Sequence, residues 1–326
     1  NSPPIASTIK SLEINTPRGR FTASPEVDLF PAVVGGYGAI GFIESVTFKS
    51  AENRVLLKDS FVVPVEDLPE MLVKISGSSE LFNSRLRPDS KGLWREATIN
   101  RFRPVEEVLT VEDGDGKKWF HQVDPNGLKP EEPGIGSRLV RSGVKNDLGK
   151  KVRWLAEKAT SGSRSAVSRN QVFYSPTKHF MIRRPSKGRF SELQEYFIPH
   201  WNVGDFVNAG RELIEQHGVD LVNTTIRDIR QDDLSMLSYA NVDSFGFVML
   251  LSSGDCERRN MDFASDMINL ALDLGGSFYL PYRPHATKEQ FRRAYPRYRE
   301  FLEVKKSFDP DGVYTNRFFD RYLREA

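Results

Sequence analysis

The sequence predicts an α+β fold built on a largely antiparallel sheet, and three observations carry that reading. Residues 193–282 run strand, helix, strand, strand, helix, strand, the split βαβ order in which both helices cover one face of the sheet. Residues 51–113 alternate strand-like and helical periodicities in units that suit an α+β layer. A chain of 326 residues with 39% hydrophobic and 11% aromatic content buries a large core, with about two domains expected at this length.

Taken in order, residues 8–14 and 20–22 read as a hairpin around a Pro-Arg-Gly turn. Ser24-Pro25-Glu26 supplies a cap, a proline for the first helical position and an acid in the first turn, so a short helix through Val34 is predicted. Glycines end it, and 39–49 reads as a strand. "RVLLKDSFVV" follows as a strand, "VEDLPEMLVKI" as a helix, and "ATINRFRPVEEVLTVED" as strand material broken at Pro104 and closed by Asp113-Gly-Asp-Gly. Residues 121–150 are rich in Pro, Gly and charge and read as a long excursion, with a basic helix at 146–159. The second half gives strand "LQEYFIP", helix 203–217 closed by Gly218, strands "LVNTTIRDI" and "FGFVMLL", helix 258–274 closed by Gly275-Gly276, and strand "SFYLPY". A last helix, 287–306, precedes the Asp309-Pro310-Asp311-Gly312 turn.

Charge excludes some partners. With 46 Lys plus Arg against 44 Asp plus Glu, the net +2 gives no field for nucleic acid. Cys256 is the only cysteine, so intrachain disulfides and a four-cysteine zinc site are excluded, and its polar turn "SSGDCERRN" reads as a bystander position. His121, His179, His200 and His217 have no metal-like spacing, so no metal site is expected. No apolar run reaches the roughly 18 residues of a membrane span, and a cytoplasmic setting is expected. The cation- and aromatic-containing stretches "KKVRWLAEKATSGSRSAVSRN" and "HFMIRRPSKGR" read first as solvated basic faces, with contact to the inner membrane face or a phosphorylated substrate as the alternative.

The stretch "GGYGAIGFIESVTF", 35–48, sets four glycines in seven positions before a strand. Helix, glycines, strand is the wrong order for a phosphate loop, in which a strand comes first. Two readings stand: a helix C-cap with a tight turn, or main chain bared for close approach of a ligand.

"ASPEVDLFPAVVGGYGAIGFIESVTFK" resembles the closing part of the FAD-binding domain in FAD-linked oxidases of the vanillyl alcohol oxidase type, and "GGSFYLPYRPHATKEQFRRAYPRYREFLEVKKSFDPDGVYTN" is similar to that family's terminal segment. Within it the chain resembles the decaprenylphosphoryl ribose oxidases and the alditol oxidase-like dehydrogenases. The resemblance implies three parts: 1–50 as the later portion of the FAD domain, 51–285 as a substrate-binding cap, and 286–326 as a helix and tail returning to the FAD domain. It implies FAD as cofactor, touched by Gly35, Gly36, Tyr37, Gly38, Ile40, Gly41 and Ile43. The family's pyrophosphate loop falls upstream of Asn1, so a C-terminal portion that holds FAD weakly by itself is expected; residues 1–50 contain no histidine for covalent attachment.

The activity so implied is oxidation of a secondary hydroxyl of a sugar- or polyol-like substrate by hydride transfer to the flavin. Such chemistry needs a proton acceptor and positive charge near the reduced flavin. "YRPHATK" supplies both kinds in Arg283, His285 and Lys288, and the ribose oxidases place a lysine where Tyr282 falls. "LQEYFIPHWN" resembles the family's substrate-facing strand, with Gln194 and Tyr196 on one face and Glu195 pointing away. The rival reading is a non-catalytic chain that keeps the cap as a binding or scaffold module.

Overall fold

The first hairpin forms because Leu12, Ile14 and Ala23 turn inward while the charged residues between them face out: β1 (Ile9–Thr16) pairs with β2 (Gly19–Ala23), and β3 (Phe42–Phe48) takes the other side of β1. The computed structural model describes residues 4–105, 110–113, 116–119, 124–126, 146–159, 161–162, 164–173, 191–252 and 257–324. Cys256, His121, His179, the segment "HFMIRRPSKGR" and most of the 121–150 excursion lie outside these residues.

The first helix is shorter than predicted. The Ser24 hydroxyl donates to the Glu26 carboxylate at 2.6 Å instead of capping, and bonds from Val27 N to Ser24 O and Phe30 N to Val27 O make a turn there. Helix α1 therefore spans only Leu29–Val33. β3 starts at Phe42 rather than 39, because Ala39 N bonds back to Gly36 O at 3.0 Å and extends the turn.

The main body is an antiparallel sheet of eight strands. β4 (Val55–Pro64), β5 (Leu81–Leu86) and β6 (Glu96–Pro104) come from the first half, and β7 (Thr110–Asp113) with β8 (Gly116–Trp119) forms a separate hairpin. β9 (Arg164–Ser168) then joins β4, and β10 (Ser191–Pro199), β11 (Asp220–Ile229), β12 (Ser244–Ser252) and β13 (Ser277–Phe278) complete the order β13-β10-β12-β11-β5-β6-β4-β9. The last four strands take the predicted split βαβ order. Thr225 opposite Arg85 and Ile226 opposite Ser84 join the two halves into one sheet.

Three helices, α2 (Leu68–Ser78), α5 (Val203–His217) and α6 (Glu257–Asp273), cover the face bearing Ile99, Ile226, Phe247 and Tyr196. The opposite face is crossed by α3 (Asp147–Ala159), whose Arg153 reaches Asn223 at 2.8 Å and whose Glu157 accepts from Arg85 at 2.7 Å; the short α4 (Arg169–Phe173) follows β9. Gly218 closes α5 at φ 58°, the left-handed conformation a C-terminal glycine supplies without a Cβ clash.

Gly210, inside α5, would ordinarily cost about 1 kcal/mol against alanine. Here a Cβ would sit 2.9 Å from the ring of the buried Trp94. Gly210→Ala is therefore expected to lower stability by about 1 kcal/mol, since overpacking outweighs the helix-propensity gain; the urea unfolding midpoint reads it.

The predicted final helix is two. Pro296 offers no N–H, so α7 (Lys288–Ala294) stops before it and α8 (Tyr298–Phe308) starts after it. Thr287 and Gln290 form a capping box at the start of α7. After the Asp309 turn, α9 (Arg317–Tyr322) returns the chain to the glycine stretch: Asn316 Nδ2 donates to Tyr37 O at 2.8 Å and the Phe318 ring lies 4.5 Å from Tyr37. Among the described residues no helix is long and apolar enough to cross a membrane.

Candidate active site

The glycine stretch is shaped by its own backbone first. A Cβ on Gly36 would lie 2.1 Å from Ala32 O, and one on Gly41 would lie 2.3 Å from Asn15 O, so these two glycines are demanded by packing within the turn. Gly35 and Gly38 are held at φ 80° and 73°, and a Cβ on Gly38 would meet nothing within 4 Å. Gly36, Gly38, Ile40, Gly41 and Ile43 line one shallow groove together with Ile14, and Phe42 and Ile43 are exposed beside it. Only the main chain at Gly35 and Gly38 and the Phe42 and Ile43 side chains are exposed along its rim; Ile14, Gly36, Ile40 and Gly41 are buried beneath, and the enclosed space, about 10 Å³, admits no flavin ring, so a planar ring system could meet this turn only across the rim.

On β10 the two faces divide the candidate residues. Glu192, Gln194 and Tyr196 lie on the helix-covered side, where Gln194 Nε2 donates to Glu192 Oε1 at 2.5 Å and the His285 imidazole pairs with the same carboxylate. Burial pushes the Glu192 carboxyl up, and bonds from His285 and Gln194 more than offset it, leaving it below its ordinary value. Tyr196 is 0% exposed beside Phe206, its hydroxyl has no partner, and burial pushes the phenol well up. The expected substrate-facing pair thus sits under α5, and it is Glu195 that occupies the other face.

Glu195 is the residue the sequence reading passed over. Cross-strand register sets Phe197, Gly246 and Arg227 side by side, and the missing side chain at Gly246 makes the gap into which the Glu195 carboxylate leans; a Cβ there would come 3.3 Å from Oε1. The Tyr282 hydroxyl donates to this carboxylate. Burial raises the Glu195 carboxyl above its ordinary value, while the Arg227 charge and the Tyr282 bond pull it partly back. Burial and the Glu195 charge in turn push the Tyr282 phenol up to about 12.

Tyrosines connect this carboxylate to the glycine turn. Tyr279 packs 5.2 Å from Tyr282 and 5.2 Å from Tyr239, and Tyr239 stacks on Phe197 at 4.4 Å. The Tyr37 phenol is raised by its burial and then by Tyr279 and Tyr239. "YRPHATK" is therefore split: Tyr282 belongs with Glu195, and His285 with Glu192. Arg283 is exposed and acts on Glu192 through its charge, while Lys288 Nζ donates to Arg324 O at 2.6 Å near the end of the chain.

Elsewhere, His200 pairs with Asp228 at 3.2 Å and His217 with Asp266 at 2.8 Å. No group of three or more His, Cys, Asp or Glu that could hold a metal occurs among the described residues.

No family model matches the chain. It is 33% identical over 324 residues to decaprenylphosphoryl-beta-D-ribose oxidase of Mycolicibacterium smegmatis, a match spanning 94% of this chain and 67% of that protein. Among solved structures, a variant of cholesterol oxidase from Brevibacterium sterolicum superposes with a TM-score of 0.63 at 13% identity, covering 98% of this chain and 69% of that one. A solvent-stable cholesterol oxidase gives 0.62 at 10% identity, covering 97% and 69%. The structural likeness fixes a shared fold, and the sequence match fixes the kinship: the chain belongs to the FAD-linked oxidases of the vanillyl alcohol oxidase type.

Proposed function

We propose that this protein oxidises a secondary hydroxyl of a sugar- or polyol-like substrate, with Glu195 as the proton acceptor. Bound FAD supplies the acceptor for the hydride that leaves the carbinol carbon. The carrying observation is the Glu195 carboxylate itself: raised by burial, fixed by Tyr282 and set on the sheet face opposite α2, α5 and α6, beside the tyrosines that lead to the glycine turn. A carboxylate of raised pKa takes the hydroxyl proton more readily than an ordinary one. Tyr282 orients it, and Arg227 keeps enough of it ionised to act. The main chain of Gly38 and the exposed apolar side chains of Phe42 and Ile43 would hold the isoalloxazine. A sugar-like substrate is supported by the ribose oxidase match and by the polar side chain of Thr225, two strands from Glu195 on the same face.

Anaerobic mixing of the FAD-loaded protein with a panel of aldoses, pentitols and hexitols tests this reading. Loss of flavin absorbance with a polyol or sugar is expected; a flavin that a panel of sterols bleaches and the polyols do not would overturn the substrate class.

Arg227 gives a pH test. The base works ionised, so the reduction rate rises with pH through the Glu195 titration. Arg227 lowers that titration, so Arg227→Gln is expected to move the acid limb to higher pH while preserving the plateau. Because Arg227 is exposed, the displacement relative to the parent should shrink in high salt. An acid limb unmoved by the substitution would remove Glu195 from the role.

A further inference from the structure

The sheet face that bears Glu195 and is crossed by α3 carries a second polar site. Glu195, Val248, Thr225, Arg85 and Thr98 form one row across five strands, and at the far end of it, on the order of 20 Å from Glu195 at about 4.8 Å per strand, lies a cavity of about 210 Å³. Its lining includes Lys58, Ser60, Arg85, Thr98, Asn100 and Glu157. Ser60 and Asn100 spend their donors within the sheet, Ser60 on Asn100 Oδ1 at 2.7 Å and Asn100 on Asn83 at 3.0 Å.

The charges do not balance. Glu157 is shared between Arg85 at 2.7 Å and Arg153 at 2.9 Å, and Arg85 Nε is buried with no acceptor among the described residues. Lys58, half-buried in the cavity wall, has no hydrogen bond or ion pair among the described residues. Three cations thus surround one carboxylate, and the lysine ammonium has three donors to spend.

We infer that this cavity is a binding site for a small tetrahedral oxyanion of phosphate size. An ammonium and a guanidinium converging on a polar hollow stabilise such an ion through charge-assisted hydrogen bonds, and the volume exceeds that of one phosphate with its bridging waters. The bound ion would tie β4, β5 and β6 to α3, which otherwise crosses this face on its own side-chain bonds.

The experiment is a titration of inorganic phosphate against the purified protein, read by thermal unfolding, with chloride at matched ionic strength as control. A saturable rise in Tm with phosphate, and none with chloride, is expected. Lys58→Gln should weaken phosphate at least tenfold, whereas Lys58→Arg should retain the response. Lys58 holds no partner among the described residues, so its loss is expected to leave the protein folded, which the circular dichroism spectrum checks. An equal response to chloride, or an unchanged phosphate response in Lys58→Gln, overturns the assignment. Because the site lies apart from Glu195, neither outcome bears on the oxidation chemistry.

Discussion

With Glu195 as the proposed base, Glu195→Gln is expected to slow flavin reduction by about two to four orders of magnitude, the range that loss of a general base commands. Glutamine keeps the shape of the side chain and still accepts from the Tyr282 hydroxyl, so the strand and the gap at Gly246 are undisturbed. What disappears is the proton acceptor. Stability should not fall with activity: a buried carboxyl whose titration is raised in the folded state is, when ionised near neutral pH, a net cost to folding, so the neutral amide folds at least as well. Rapid mixing under anaerobic conditions separates this from weakened binding, because the loss should sit in the limiting rate of bleaching and not in the substrate concentration that half-saturates it. Lys288→Ala provides the contrast. Its ammonium is committed to the Arg324 carbonyl at 2.6 Å, so bleaching at the parent rate is expected. If Glu195→Gln reduces its flavin within tenfold of the parent, the base lies elsewhere and the Glu192–His285 pair becomes the next group to remove.

Periodicity made much of this fold readable. The split βαβ unit, the C-caps at Gly218 and Gly275 and the basic helix of α3 all rest on local signals, namely alternation, a glycine free to adopt positive φ, and an amphipathic charge pattern. The union of the two halves at Thr225 and Arg85 has no local signal, because a strand's pattern says which of its residues share a face and nothing about the neighbour it pairs with. The site was half legible for the same reason. Alternation correctly grouped Gln194 with Tyr196, but which side of β10 would be covered was decided by Phe206 on α5 and Phe247 on β12, which no reading of β10 could supply. Glu195 acquires its character from Gly246 and Arg227, more than thirty residues away in the chain. Spacing likewise placed Arg283, His285 and Lys288 together in sequence, while the turn before α7 sends His285 to Glu192 and Lys288 toward Arg324.

The glycine turn separates folding from cofactor binding through two substitutions, at Gly36 and at Gly38. Gly36→Ala forces a Cβ to within 2.1 Å of Ala32 O and 3.1 Å of the Phe301 ring, and since the first of these atoms is backbone, the turn or α1 has to move. A loss of about 3 kcal/mol is expected, at the upper end of ordinary overpacking, with Tm lower by roughly 5 °C or more. Gly38→Ala meets no atom within 4 Å, so its only cost to the fold is holding alanine at φ 73°, about 1 kcal/mol. Gly38 nevertheless lines the groove that Ile43 also borders, so an added methyl lies where the flavin ring is proposed to approach. The two variants should therefore diverge: Gly36→Ala unfolds early whether or not FAD is present, whereas Gly38→Ala keeps most of its stability and binds FAD at least tenfold more weakly by fluorescence titration. Unchanged FAD affinity in Gly38→Ala would mean that the groove is only a by-product of a tight turn, and the flavin ring would have to be sought along another edge of the tyrosine cluster.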